Sequence, residues 1–361
     1  MPKNKVPVEL LLTRYFVRYN RLDKIIPVAF AGSKACELNL YIDLYGIYKN
    51  IFSRQFLTDV SDYTAFTSTL INMCAHYRSY FKGLGVKTKI FLVSSYNIPE
   101  INCKFVAGYN KTFIDKLKNK EVKDMTETNL ELLDILCPYL PDIHLIHTQF
   151  ESTVMINHLI QKEMQSGNNA PNIIISTDIY PMQLCALYDN TVMMKPRKSN
   201  GDDITHITCP RSSELYYKSF WWIICMDRGD AQLRENMIDS LSPINYMLLM
   251  SLTKFPERDM RFSDGLTITH ASKLIYDLIG SSDNKIDVQS LFNLSENLSM
   301  SLPITNIDSR YKVLDISYQN ILFNESIEPK VLHYENLWDP DAVQLINSKY
   351  FQHNPIDLFH L

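Results

Sequence analysis

Apolar and polar positions along the chain fall into blocks that read as strand, helix, strand. ELNLYID (37–43), TKIFLVS (88–94), DIHLIHT (142–148), NIIIST (172–177) and TVMMK (191–195) are short apolar runs bounded by turn or polar residues, which predicts five strands. Their near-continuous apolar character predicts a sheet covered on both faces. Between the first two strands, Phe66, Leu70, Cys74, Tyr77 and Phe81 recur at helical spacing, and Gly83 and Gly85 then stop the helix. Met155, Leu159, Ile160 and Met164 make a second helical stripe, after which SGNNAPN returns the chain to the sheet. The order predicts a parallel α/β domain to about residue 200, left through the loop KPRKSNGDD (195–203). SFWWIICM (219–226) is too short for a bilayer span and reads as a buried helix or strand, with Trp221 and Trp222 in the core.

Such a sheet binds its ligands beyond the carboxyl ends of the strands. Three acidic residues stand there: Asp43 after LNLYI, Glu151 shortly after LIHT, and Asp178 after IIIST. Carboxylate oxygens suit hard divalent cations, so the three together would serve one Mg or Mn ion. Each also has the alternative of capping a helix. His144 and His147 would face opposite sides of a strand, which disfavours a shared metal. Ser94 and Ser95 have neither nucleophile-elbow glycines nor evident triad partners, and no phosphate-cradling glycine loop occurs, so neither serine hydrolysis nor ATP hydrolysis is indicated.

Composition narrows this picture. The 361 residues, 46% of them hydrophobic, suffice for one large domain or two smaller ones. A formal net charge of -4 excludes a broadly basic nucleic-acid coat, so any contact with nucleic acid is local. Seven cysteines form no CxxC pair, which points away from zinc and from a disulfide framework and towards a reducing, cytoplasmic setting. The first residues hold only a three-residue Leu run, so no secretory leader is expected and no membrane association. Abundant Ile, Asn, Lys and Tyr match an AT-rich genome and suit a phage or other virus, which would place the protein in the host cytoplasm.

The collinear order of IDLYGIYKNIF, FLVSSYNIPEINCKFVAGYNKTF, FESTVMINHLI and IISTDIYPMQLCALYDNTVMMKPRK resembles the nuclease domain of flap endonucleases and phage-type 5′-3′ exonucleases, in the PIN-like superfamily. Residues 241–280 resemble the helix-three-turn-helix element of that family, with Ser242 and Pro243 at a helix start, Ala271, Leu274, Ile275 and Leu278 on one apolar face, and Gly280 as the stop. The resemblance spans roughly residues 37–280. It implies a PIN-like parallel sheet flanked by helices, followed by a helical region with the helix-three-turn-helix. The implied divisions are an N-terminal extension (1–36), the α/β core (37–200), the helical region (201–290) and a C-terminal extension (291–361).

On this resemblance Asp43, Glu151 and Asp178 fall on family catalytic metal ligands, and Asp259 matches a further acidic position if one residue is skipped. Ser95, Thr153, Val154 and Tyr180 stand where the family has further carboxylates. Family cleavage resembles a two-metal displacement, with ions about 4 Å apart, and holding both takes many anionic ligands. The set here suits one Mg or Mn ion, weakly held or absent. Lys111, in a segment resembling "GYKxxR", would lie near the scissile phosphate, and Lys254, Arg258, Arg261 and Lys273 would contact the backbone of a duplex or branched DNA. The turn GLT (265–267) keeps one glycine of the family's "GIG". HNPIDLFHL at the end resembles sliding-clamp docking peptides, with Ile356, Leu358 and Phe359 as anchors, or else packs as an ordinary terminus. The leading expectation is a divergent flap-endonuclease-like protein, catalytically reduced or inactive, that binds DNA or serves a viral nucleic-acid machine. The alternatives are an active nuclease with an altered, one-metal site and a protein-interaction scaffold without nucleic-acid binding.

Overall fold

The computed structural model describes residues 16–19, 37–44, 46–47, 60–95, 111, 115, 120–148, 150–176, 180–181, 184, 187–188, 190–196, 205–210 and 338–357. The five expected strands form within a residue or two of their predicted ends. β2 (Glu37–Asp43) lies parallel to β3 (Lys87–Ser95) on one side and to β5 (Asn172–Ile175) on the other. β4 (Ile143–Thr148) continues the parallel sheet beyond β3, and β6 (Thr191–Pro196) continues it beyond β5. Two strands were not expected: β1 (Phe16–Tyr19) and β7 (Thr205–Pro210) pair antiparallel with each other, and β7 pairs antiparallel with β6. The sheet order is β1-β7-β6-β5-β2-β3-β4. FVRY and THITCP are too short to stand out by pattern, and their antiparallel pairing at one end of the sheet is what identifies them as strands.

Alternation along the central strands divides the sheet into two faces. Leu38, Leu40 and Ile42 share one core with Ile90, Leu92 and the inner faces of helices α1 (Val60–Gly83) and α2 (Lys120–Leu136). Asn39, Tyr41 and Asp43 point the other way, towards α3 (Ser152–Gln165). On that face Tyr41 stacks on Phe91 at 5.0 Å and Phe91 on His144 at 5.3 Å, which ties β2, β3 and β4 side by side. His147 faces the opposite way, its Nε2 3.2 Å from Asp134 Oδ1 on α2, so the two histidines do sit on opposite sides.

Strands with apolar residues on both faces specify register weakly, because a slip exchanges one apolar set for another. Polar residues at the amino ends of the strands remove that freedom. Buried Asn39 donates to Asn172 Oδ1 at 3.3 Å, and Asn172 donates to Thr191 Oγ1 at 3.2 Å, linking β2, β5 and β6 in the observed register. A slip by one residue would strand buried amides without partners.

The first helical stripe holds: Leu70, Cys74, Tyr77 and Phe81 are buried and Phe66 packs at the margin. α1 stops at Gly83, and Gly85 follows at φ +75°, with the amides of Leu84, Gly85 and Val86 turned back onto the carbonyls of Phe81 and Lys82. The second stripe is one turn shorter than expected. Met155, Leu159 and Ile160 are buried, but Met164 is exposed, because the last turn of α3 runs beyond the packed surface.

A late segment completes the core. α4 (Pro340–Tyr350) is capped by Asp339, whose Oδ1 accepts from Ala342 N at 2.9 Å. Val343, Ile346, Phe351 and Ile356 join the core beneath α1 and the short 3-10 turn Cys137–Tyr139. Two asparagines hold the end of this segment. Asn72 on α1 donates to Pro355 O and accepts from Asp357 N, while Asn347 donates to Ile356 O and accepts from Ile356 N. Ile356 is therefore a buried core residue and not an exposed anchor for a clamp or other partner, which corrects that expectation. Leu358 and Phe359 lie outside the described residues, as do SFWWIICM (219–226) and the helix-three-turn-helix segment (241–280). No helix among the described residues is long and apolar enough to cross a membrane.

Two measurements check this core. Phe351→Ala is expected to cost about 3–5 kcal/mol, the range for deleting a buried aromatic ring, read by urea unfolding of the full chain. Cys74 and Cys137 are free and fully buried, and burial raises both thiols above their ordinary range. Both should resist a thiol reagent at mildly alkaline pH in the native protein and react at once in denaturant.

Candidate functional site

The carboxyl edge of the sheet is organised around Asp43. This residue ends β2 on the α3 face and is 1% exposed. Burying a carboxylate is costly unless donors replace the lost water. Three do so here: Ser152 Oγ donates to Oδ1, Gly46 N donates to the same oxygen at 3.0 Å, and Ser176 Oγ donates to Oδ2 at 2.6 Å. Hydrogen bonds to an ionised acceptor are short and strong, and the hydroxyl contacts are of that kind. Ser152 opens α3 and Ser176 directly follows β5, so one side chain joins the ends of three elements.

Glu151 occupies the N-cap position of α3 and is 2% exposed. Its main-chain oxygen accepts from Val154 N and Met155 N, but its side chain makes no capping hydrogen bond. The capping alternative thus fails for Glu151 and holds in part for Asp43, which takes up the amide of Gly46 three residues on. Glu151 adjoins the very residue whose hydroxyl binds Asp43, and the N-terminal end of α3 favours negative charge there. The fold therefore places the backbone of Glu151 next to the residue that binds Asp43. Asp178, two residues beyond Ser176, lies outside the described residues.

The positions where the resemblance would put further carboxylates have other duties. Ser95, at the end of β3, donates to Phe150 O at 2.8 Å and so fixes the backbone just before Glu151. Thr153 and Val154 are buried in the first turn of α3, and Tyr180 is completely buried. Lys111 is exposed in a helical turn. Lys254, Arg258, Asp259, Arg261 and Lys273 lie outside the described residues.

Carboxylate oxygens from Asp43 and Glu151 are the right donors for a hard cation, and with Asp178 they would suit one ion. Val154 and Tyr180 offer no carboxylate, and both oxygens of Asp43 accept hydrogen bonds from protein donors. Among the described residues no three of His, Cys, Asp and Glu gather into a metal-ligating cluster. Sequence reasoning missed Ser152 and Ser176. The signal available was a hydroxyl residue beside each of two acidic positions, in EST and STD.

The hydroxyls are testable through stability. Asp43→Ala leaves two buried hydroxyls and an amide without their acceptor, and an unsatisfied buried donor costs about 1–3 kcal/mol. Unfolding in urea with a chelator present should therefore show Asp43→Ala to be more destabilised than Ser176→Ala, with Glu151→Gln least affected.

No protein-family profile and no curated protein matches the chain. Solved structures do. The flap endonuclease of bacteriophage T5, as a pseudo-enzyme–product complex with DNA and metal ions, is 11% identical, with 87% of this chain and 98% of that one covered at a TM-score of 0.46. Human GEN1 in complex with Holliday junction DNA is 14% identical, with 96% and 73% covered at a TM-score of 0.47. The catalytic core of Rad2 in complex with a DNA substrate is 12% identical, with 87% and 86% covered at a TM-score of 0.39. These likenesses are distant, with TM-scores below 0.5, and the architecture of the chain rests on its own sheet, in which β6, β5, β2, β3 and β4 run parallel and are flanked by helices.

Proposed function

We propose that the chain is a divergent flap-endonuclease-like protein that binds duplex or branched DNA and has lost most of its capacity to cut it. The observation that carries this reading is the state of the carboxylate edge. Asp43 is held by two serines and an amide, while two positions that would complete a two-metal set contain the buried side chains of Val154 and Tyr180. A site with so few carboxylates does not assemble the paired ions of the family mechanism.

In this reading the residues divide into two groups. Asp43, Glu151 and Asp178 would hold one Mg or Mn ion, with Asp259 as a further candidate, and such an ion when bound would polarise a phosphate oxygen. Ser152 and Ser176 orient the Asp43 carboxylate and keep its place in the fold. Lys111, Lys254, Arg258, Arg261 and Lys273 would contact the DNA backbone and position the duplex without reading its sequence. A role as a subunit of a viral or phage nucleic-acid machine in the host cytoplasm is in keeping with a composition that suits an AT-rich genome and with the free, buried Cys74 and Cys137.

A second reading, an active one-metal nuclease, is favoured by Glu151 alone: a buried carboxylate beside Asp43 that its own helix does not use as a cap. The two readings separate in one set of assays. Binding of a 5′-flap or duplex oligonucleotide should weaken steeply with salt, persist in a chelator, and fall when Lys254 and Arg258 are both changed to Glu. Incubation in Mg or Mn should leave the substrate intact or nearly so, with Asp178→Ala making no difference. Robust cleavage abolished by Asp178→Ala establishes the second reading, and lack of binding even at low salt overturns both.

A further inference from the structure

The opposite edge of the sheet carries a cleft that the carboxylate site does not use. It lies where α1 ends and β3 begins, has a volume of about 340 Å³, and is lined by Arg78, Lys82, Gly85, Lys87, Thr88 and Asp142 among others. Three cations there surround one carboxylate. Asp142 is 3.7 Å from Arg78 Nη2 and 3.8 Å from Lys87 Nζ, both too long for a hydrogen bond. Lys82 has no acidic partner among the described residues. The formal charge of the lining is therefore +2, from three cations against one carboxylate. The carboxyl end of α1 subtracts roughly half a charge, and its last carbonyls are already engaged by the amides of Leu84, Gly85 and Val86.

A second observation points the same way. Thr88 is 2% exposed, and its hydroxyl has no hydrogen-bond partner, although it lies on a residue that lines the cleft. A buried hydroxyl without a partner is uncommon and calls for one. Gly85, at φ +75°, has open space where a side chain would stand, so a ligand can approach the main chain there.

We propose that this cleft binds a phosphate dianion. A phosphate monoester carries about -1.5 to -2 charges at neutral pH, which matches the charge of the cleft. Arg78, Lys82 and Lys87 supply the positive charge, and the unpartnered hydroxyl of Thr88 lies on a residue of the cleft wall. The site is separate from the carboxylate edge. β3 runs nine residues from Lys87 to Ser95, a span of roughly 26 Å at the rise of a strand, so one small ligand cannot reach both. The phosphodiesters of a nucleic-acid strand are monoanions and match this charge less well than a small monoester, and the cleft volume sits at the low end of the range for small-molecule pockets.

The test is an amide-shift titration of the full chain with inorganic phosphate, with chloride as the control at matched ionic strength. Phosphate should give saturable shifts centred on Gly85, Val86 and Thr88, stronger at about pH 7.5 than at about pH 5.5, where the dianion is scarce. Changing Lys82 and Lys87 together to Gln should weaken binding about tenfold or more. Binding by a nucleoside monophosphate but not by its nucleoside assigns the site to a small monoester. Shifts of the same amides by a short duplex, whose diester phosphates are monoanions, with none by the monophosphate would overturn the proposal. Shifts equal in chloride, no saturation, or affinity unchanged in the Lys82 and Lys87 double variant would overturn the proposal.

Discussion

The hydrogen bonds to Asp43 are the constraint on which the carboxyl edge depends. A parallel sheet meets its helices through loops, and loops alone leave strand ends and helix starts loosely placed. Here one buried carboxylate is shared among the turn after β2, the residue after β5 and the first residue of α3. The placing of α3, and with it the backbone of Glu151, follows from this arrangement, since Ser152 cannot reach the carboxylate unless α3 begins where it does. Ser95 reinforces it from β3 by holding the carbonyl of Phe150.

The two ends of the sheet solve different problems with polar side chains. At the amino ends, neutral amides from Asn39 and Asn172 fix which residues pair across β2, β5 and β6. At the carboxyl ends, a charge does the joining. Neutral amides satisfy one another without outside help, so they suit a purely structural role. A buried carboxylate requires donors or a cation, and the serines supply donors.

Much of the fold was legible in the sequence because burial on both faces leaves a dense apolar record. The five parallel strands and the α1 stripe through Leu70, Cys74, Tyr77 and Phe81 are of this kind. β1 and β7 were not legible, since an antiparallel edge pair needs main-chain partners more than apolar residues. Met164 was misjudged because helical periodicity continues past the point where the neighbouring surface ends. Of the two readings of the end of the sequence, docking anchor or packed terminus, Ile356 follows the second: it is buried in the core, with Asn347 on its main chain and Asn72 of α1 on the residues either side. Of the site, Asp43 and Glu151 could be read from their places after strands. The serines that hold Asp43 could not, because a hydroxyl has no periodic signature.

The asparagine clamps on the last described segment bear on how the protein is made. Asn72 grips residue 357 across 285 positions, and Phe351 and Ile356 complete the core beneath a helix that leaves the ribosome far earlier. At ordinary synthesis rates the interval is on the order of tens of seconds. Throughout it the core beneath α1 lacks Phe351 and Ile356. The core beneath α1 is thus closed by a piece of chain translated long after the helix it covers.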